Sequence, residues 1–96
     1  MRKKVLITGG SGGIAIALKD LLEKDGYSVL APTRQEMDVT DCRSIENVVK
    51  DFVPDILVNN AGYVVPCSIK NMVFESTKRH FDINFWGGLF IAQAWL

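Results

Sequence analysis

Glycines cluster at the one place in this chain where backbone alone could hold an anion. The segment Thr8-Gly9-Gly10-Ser11-Gly12-Gly13-Ile14-Ala15 follows a short apolar run and opens a stretch with helical spacing. A helix N-terminus carries unpaired N–H groups and positive partial charge, and glycines let the backbone approach a phosphate with no Cβ in the way. The chemistry this supports is the grip of a diphosphate by backbone amides, here expected from Gly12 and Gly13. Three registers fit: Gly10-x-Gly12-x-x-Ala15, Gly9-x-x-x-Gly13-x-Ala15 and Gly9-x-x-Gly12-x-x-Ala15. No Gly-Lys-Ser/Thr follows, which excludes a Walker-type loop. A glycine-rich turn without ligand is the competing reading of the same residues.

A second polar group, Asn59-Asn60-Ala61-Gly62, comes directly after another apolar run. Asparagine is both donor and acceptor, and glycine permits close approach to a planar ring. A polar turn after a strand is the plain alternative. Metal chemistry finds no support: Cys42 and Cys67 form no Cys-x-x-Cys, and His80 is the single histidine. No metal site is therefore expected.

Strands and helices must position these groups. Val5-Leu6-Ile7 reads as a buried strand, and Ile14, Leu18, Leu21 and Leu22 give a helix from Gly13 to Asp25, ended by Gly26. Ser28 to Ala31 is a second strand, stopped by Pro32. A short third strand is expected around Met37-Asp38-Val39. Asp41 then caps a helix whose Ile45, Val48, Val49 and Phe52 repeat at helical spacing. Asp55 to Asn59 is the fourth strand, followed by a short helix near Ile69–Glu75 and a longer one from about Lys78 onward. Strands alternating with amphipathic helices predict an α/β fold, a Rossmann-like doubly wound parallel sheet of strand order 3-2-1-4, occupying residues 1–96 as one truncated domain.

Composition narrows the partners. Of 96 residues, 11 are Lys or Arg and 11 are Asp or Glu, so the net charge is zero and a broad grip on nucleic acid or an anionic membrane is excluded. Hydrophobic residues at 48% and charged ones at 23% place the chain in the globular class. The apolar runs are too short to cross a membrane, and the stretch after Arg2-Lys3-Lys4 stops at Thr8-Gly9, too soon for a secretory signal. The expected compartment is cytoplasmic.

Thr8-Gly9-x-x-x-Gly13-x-Ala15, then Asp38, then Asn59-Asn60-Ala61-Gly62, then Asn84 in Asp82-Ile83-Asn84-Phe85, together resemble the short-chain dehydrogenase/reductase family, in order and across essentially the whole chain. The Asn-Asn-Ala-Gly form resembles its ordinary branch more than its sugar-nucleotide-modifying branch. The resemblance implies an NAD(P)-dependent oxidoreductase transferring hydride between the cofactor and a small alcohol or carbonyl substrate. It implies that Gly9, Ser11, Gly12, Gly13 and Ile14 cradle the cofactor's phosphates and adenosine ribose. Asp38 and Val39 would contact the adenine, and Asn60, Ala61 and Gly62 would lie toward the nicotinamide. Asn84 is the catalytic candidate, holding a kinked helix and a proton-relay water.

Cofactor choice rests on the end of the second strand. Ala31-Pro32-Thr33-Arg34 offers no carboxylate for a ribose 2′-OH, whereas Arg34 could pair with a 2′-phosphate, so NADP is expected with NAD as the alternative. The family's acid/base pair resembles Tyr-x-x-x-Lys, one helical turn apart. Here Tyr27 is followed four later by Ala31 and Tyr63 by Cys67. The chain thus resembles the cofactor-binding N-terminal half, without the catalytic Ser, Tyr and Lys, and is not expected to catalyse the reaction by itself. The alternative is a stand-alone or degenerate dinucleotide-binding module.

The last helix carries Phe81, Phe85, Leu89 and Ala92 on one stripe and Ile83, Trp86, Phe90 and Ala94 on others. Apolar on more than one side, it is expected to meet neighbours on more than one side. Gly87 and Gly88 suggest a bend or close approach. With the fourth strand left as an edge, a homo-oligomer is expected.

Overall fold

The computed structural model describes residues 2–96. Strand β1 (Lys4–Ile7) leads through the glycine loop into helix α1 (Gly13–Lys24), then β2 (Ser28–Leu30), α2 (Cys42–Phe52) and β3 (Ile56–Val58). A 3₁₀ turn (Ile69–Asn71) precedes one long helical run: α3 (Phe74–Phe81), a π-helical segment (Asp82–Gly87) and α4 (Gly88–Trp95).

The sheet is parallel throughout, in the order β2-β1-β3, with Val5 opposite Val29 on one side and opposite Ile56 on the other. Successive strand side chains point to opposite faces. Leu6 accordingly joins Met37, Ile45 and Ile91 beneath α2 and α4, while Val5 and Ile7 pack with Ala15 of α1. Helices cover both faces of a parallel sheet, the doubly wound α/β architecture the sequence predicts.

The third strand does not form, so the expected order 3-2-1-4 is replaced by β2-β1-β3, in which β3 is the strand predicted as fourth. The amides that a ladder would need are taken elsewhere. Met37 N–H donates to Thr33 O at 2.8 Å, and Asp38 N–H donates to the Ser44 hydroxyl at 3.1 Å. Met37 and Val39 are nevertheless buried. Their apolar alternation records burial under α2 and α4, and no strand pairing goes with it. Both β2 and β3 are therefore edges among the described residues.

Helix ends follow local chemistry. Asp41 caps α2, its carboxylate accepting from Arg43 N–H at 3.0 Å and Ser44 N–H at 3.4 Å. Gly26 takes φ 94° after α1, as a helix-ending glycine can. Val53 ends α2 at φ 51°, a left-handed conformation that strains a β-branched residue.

The long helix begins at Phe74, four residues ahead of the expected start, and the predicted helix near Ile69–Glu75 is divided between the 3₁₀ turn and α3. The expected close approach is present. A Cβ on Gly87 would lie 2.8 Å from Val39 Cγ2, and one on Gly88 would lie 2.8 Å from Asn59 Nδ2. One side of the run packs inward through Ile83, Phe90, Ile91 and Ala94. Phe81, Phe85, Trp86 and Leu89 stay about half exposed, from 48% to 56%, so the second side is left largely uncovered among the described residues. Trp95 Nε1–H fastens the helix end to Pro54 O at 3.0 Å.

Candidate functional site

The site is built around a buried hydroxyl. Thr8 directly follows β1, where its N–H continues the ladder to Val58 O at 3.1 Å and its side chain is fully buried. Its Oγ1 accepts from Asn60 N–H at 2.9 Å and from Ala61 N–H at 2.8 Å, and Asn60 Nδ2 donates back to Thr8 O at 3.1 Å. The segment after β3 is thereby pinned against the start of the glycine loop. Sequence reasoning gave Thr8 no role; the available signal was a polar residue closing an apolar strand.

Three glycines then act through what they lack. Gly9 adopts φ 71°, and a Cβ there would sit 3.0 Å from Ala61 Cα. A Cβ on Gly10 would lie 1.9 Å from Ala31 O, because Gly10 N–H donates to Pro32 O at 2.9 Å and holds the loop against the chain leaving β2. Gly13 has open space where a Cβ would be.

One expectation is corrected here. Gly12 N–H does not face outward; it donates to Gly9 O at 3.1 Å and closes a turn inside the loop. The first helical hydrogen bond of α1 runs from Ile16 N–H to Gly12 O at 3.0 Å, and no side chain caps the helix. The amides of Gly13, Ile14 and Ala15 are left without a partner inside the helix, and of these residues Ala15 is buried.

The candidate residues converge. A cavity of about 320 Å³ is lined by Gly9, Ser11, Gly12, Gly13 and Ile14 on one side and Asn60, Ala61 and Gly62 on the other. A second, about 210 Å³, is lined by Arg34, Asp38 and Val39 together with Met37, Tyr63, Arg79 and Ile83. Gly9, Ser11, Ala61 and Gly62 border both, so the two form one groove crossing the carboxyl ends of β1 and β3. Arg79, Tyr63 and Ile83 were not expected in it. A larger open groove of about 470 Å³, bounded by Thr40, Lys78, Asp82, Trp86 and Phe90, shares none of the glycine-loop residues.

Asn84 stands behind this groove. Its Oδ1 accepts from Tyr63 N–H at 2.8 Å and its Nδ2 donates to Tyr63 O at 2.6 Å, with His80 Nδ1 at 3.1 Å from the same nitrogen. Asn84 lies within the π-helical segment, where the helix widens enough to present its amide to that loop.

The charges of the second cavity are unequal. The Thr40 hydroxyl, donating to Asp38 Oδ1 at 2.6 Å, is the main cause holding the Asp38 carboxyl below its ordinary range; partial burial opposes it, while Thr40 N–H and Arg34 add to the lowering. Arg34 is exposed, with its Nε 3.9 Å from Asp38 Oδ2.

Fold and groove together define a Rossmann-type α/β unit with a glycine-rich loop beside a partly apolar pocket. A protein-family model described as the RmlD substrate binding domain matches residues 2–93. An uncharacterized oxidoreductase of Schizosaccharomyces pombe is 33% identical, over 93% of this chain and 37% of its own. A short-chain dehydrogenase/reductase of Pestalotiopsis microspora is 33% identical, over 99% of this chain and 42% of its own. The crystal structure of dTDP-4-dehydrorhamnose reductase from Bacillus anthracis, in complex with NADP, is similar at TM-score 0.79 and 25% identity, covering 98% of this chain and 32% of that one. The chain belongs to the RmlD substrate binding domain family and is of the short-chain dehydrogenase/reductase type. It spans 37% and 42% of the length of those two curated relatives. Because the matches include a dTDP-sugar reductase as well as a short-chain dehydrogenase/reductase, the ordinary branch expected from Asn59-Asn60-Ala61-Gly62 is not singled out.

Proposed function

We propose that this chain is the cofactor-binding part of an NADP-dependent oxidoreductase, with NAD as the weaker alternative, acting on a small alcohol or carbonyl compound. When bound, the nicotinamide supplies hydride transfer. The chain's own residues hold and orient. The amides of Gly13 and Ile14 receive the diphosphate at the N-terminus of α1, where positive partial charge is concentrated. Ser11 and Arg34 border the ribose, and the guanidinium suits a 2′-phosphate. Asp38 and Val39 bound the adenine pocket, while Asn60, Ala61 and Gly62 lie along the nicotinamide half.

The observation that carries this reading is the pinning of Asn60 and Ala61 by Thr8. It brings the two cavities together across Gly9, with no Cβ between Gly9 and Ala61. Asn84 positions the far end of the groove through the Tyr63 main chain. The uncovered face of Phe81, Phe85 and Leu89 supports association with a second copy of the chain.

Titration with NADPH, followed by the fluorescence of the reduced nicotinamide, tests the proposal. Saturable binding is expected, and Arg34→Ala is expected to weaken NADPH while leaving NADH unchanged. No binding at millimolar cofactor would remove the reading, and unchanged NADPH affinity in the variant would remove the preference for NADP.

A further inference from the structure

The adenine pocket has a wall that neither the glycine loop nor the second strand provides. Arg79, on α3, lines it together with Arg34 and Asp38. The residue is half-buried, and its guanidinium lies over the ring of Tyr63, 5.0 Å from the centroid. Among the described residues the ion pairs are Lys24–Asp20, Arg34–Asp38 and Lys78–Asp82, so Arg79 has no carboxylate within 4.0 Å. A half-buried cation without a counter-charge, lying over an aromatic ring, is an arrangement with an unused capacity.

We propose that Arg79 stacks on the purine ring of the dinucleotide, forming a Tyr63–Arg79–adenine sandwich; this rests on the cofactor reading above. A planar guanidinium has two faces, and Tyr63 covers one of them. The neighbouring walls are apolar, with Met37, Val39 and Ile83 suited to the body of a heterocycle. The ionised Asp38 shares the cavity. It would repel a phosphate lodged there, yet it can accept a hydrogen bond from an exocyclic amine. The two arginines thus divide the adenosine end. Arg34, exposed at the rim, meets the 2′-phosphate, and Arg79 meets the base.

The division is testable because only one of the two contacts depends on the 2′-phosphate. NADPH and NADH are titrated against the wild type, Arg79→Ala, Arg79→Lys and Arg34→Ala. Melting curves recorded in parallel are expected to overlay the wild type's. Arg79→Ala is expected to weaken both cofactors by the same factor, roughly three- to tenfold. Arg79→Lys, which keeps the charge and loses the plane, is expected to recover only part of that loss. Arg34→Ala is expected to change NADPH alone. A loss confined to NADPH in Arg79→Ala would make Arg79 a phosphate contact and overturn the proposal, as would unchanged affinity for both or full recovery by lysine. Failure of the wild type to bind either cofactor would instead strike the cofactor reading itself.

Discussion

Asn84 holds the peptide groups on both sides of Tyr63. Its Oδ1 receives the Tyr63 N–H at 2.8 Å and its Nδ2 reaches the Tyr63 carbonyl at 2.6 Å, across 21 positions of sequence. One amide side chain therefore ties a helix to the loop that forms the floor of the groove, and a Cβ on Gly62 would already lie 3.4 Å from Asn84 Oδ1. Asn84→Ala should cost about 1 kcal/mol of stability, because the pair is exposed and water can replace it. The more specific signature is local. Hydrogen exchange at the Tyr63 amide should accelerate strongly, while exchange in β1 stays unchanged; uniform protection across both would show that Asn84 does not hold the loop.

Thr8 is the more expensive residue to alter. Its hydroxyl satisfies two backbone N–H groups in a fully buried position, so Thr8→Val keeps the shape and leaves both donors unpaired. At about 1–3 kcal/mol for each orphaned donor, a loss of roughly 2 kcal/mol or more is expected. Thr8→Ser retains the acceptor and should recover most of it. Denaturant unfolding of the three proteins checks this, and a Thr8→Val as stable as the wild type would show that the hydroxyl does not hold the segment.

Two glycines of the same loop should respond in opposite directions. At Gly10 a methyl would overlap the Ala31 carbonyl, which belongs to the backbone and cannot rotate away. Gly10→Ala is expected to lose about 3 kcal/mol or more, or to fail to fold. At Gly13 the added methyl meets nothing, and alanine is the better residue in a helix, so Gly13→Ala should gain up to about 1 kcal/mol. Thermal melting separates the two, and a destabilised Gly13→Ala would contradict the loop geometry.

Acid should expose the contribution of Asp38. Its carboxyl sits below the ordinary range because the Thr40 hydroxyl and N–H, with Arg34 nearby, favour the ionised form. A group whose pKa is depressed by folding adds stability that is fully present above its unfolded pKa and is lost as pH falls through the folded one. Asp38→Asn should therefore lower stability at neutral pH and narrow its gap to the wild type as the solution is acidified. A gap that stays constant from neutral to acidic pH would assign the loss to something other than ionisation.

Much of this architecture is legible in the amino-acid sequence. Ile45, Val48, Val49 and Phe52 announce α2 by period, Asp41 caps it through its own carboxylate, and the apolar runs at Val5 and Ile56 form paired parallel strands. Periodicity reports burial, however, and it is blind to pairing. Met37 and Val39 are buried as a strand's residues would be, yet the Ser44 hydroxyl and the Thr33 carbonyl take the amides between them. The π-helical segment has no period of its own to detect; only Gly87 and Gly88 hint at it, and their reason lies in Val39 and Asn59, distant in sequence. Arg79 leaves no signal for the same cause, since α3 presents it to a pocket whose other walls come mainly from the glycine loop, the segment after β2 and the loop after β3. Residues that converge through the sheet leave no mark in local spacing.

The central claim is that the amides at the start of α1 receive the dinucleotide's phosphates. Backbone amide shifts of the isotopically labelled chain, followed during titration with NADP, test it most directly. Saturable changes are expected, centred on Gly13 and Ile14 and extending to Gly9, Ala61 and Gly62, with Lys24 and Phe52 unmoved. Shifts confined to the outer groove around Lys78 and Trp86, or none at millimolar NADP, would contradict it.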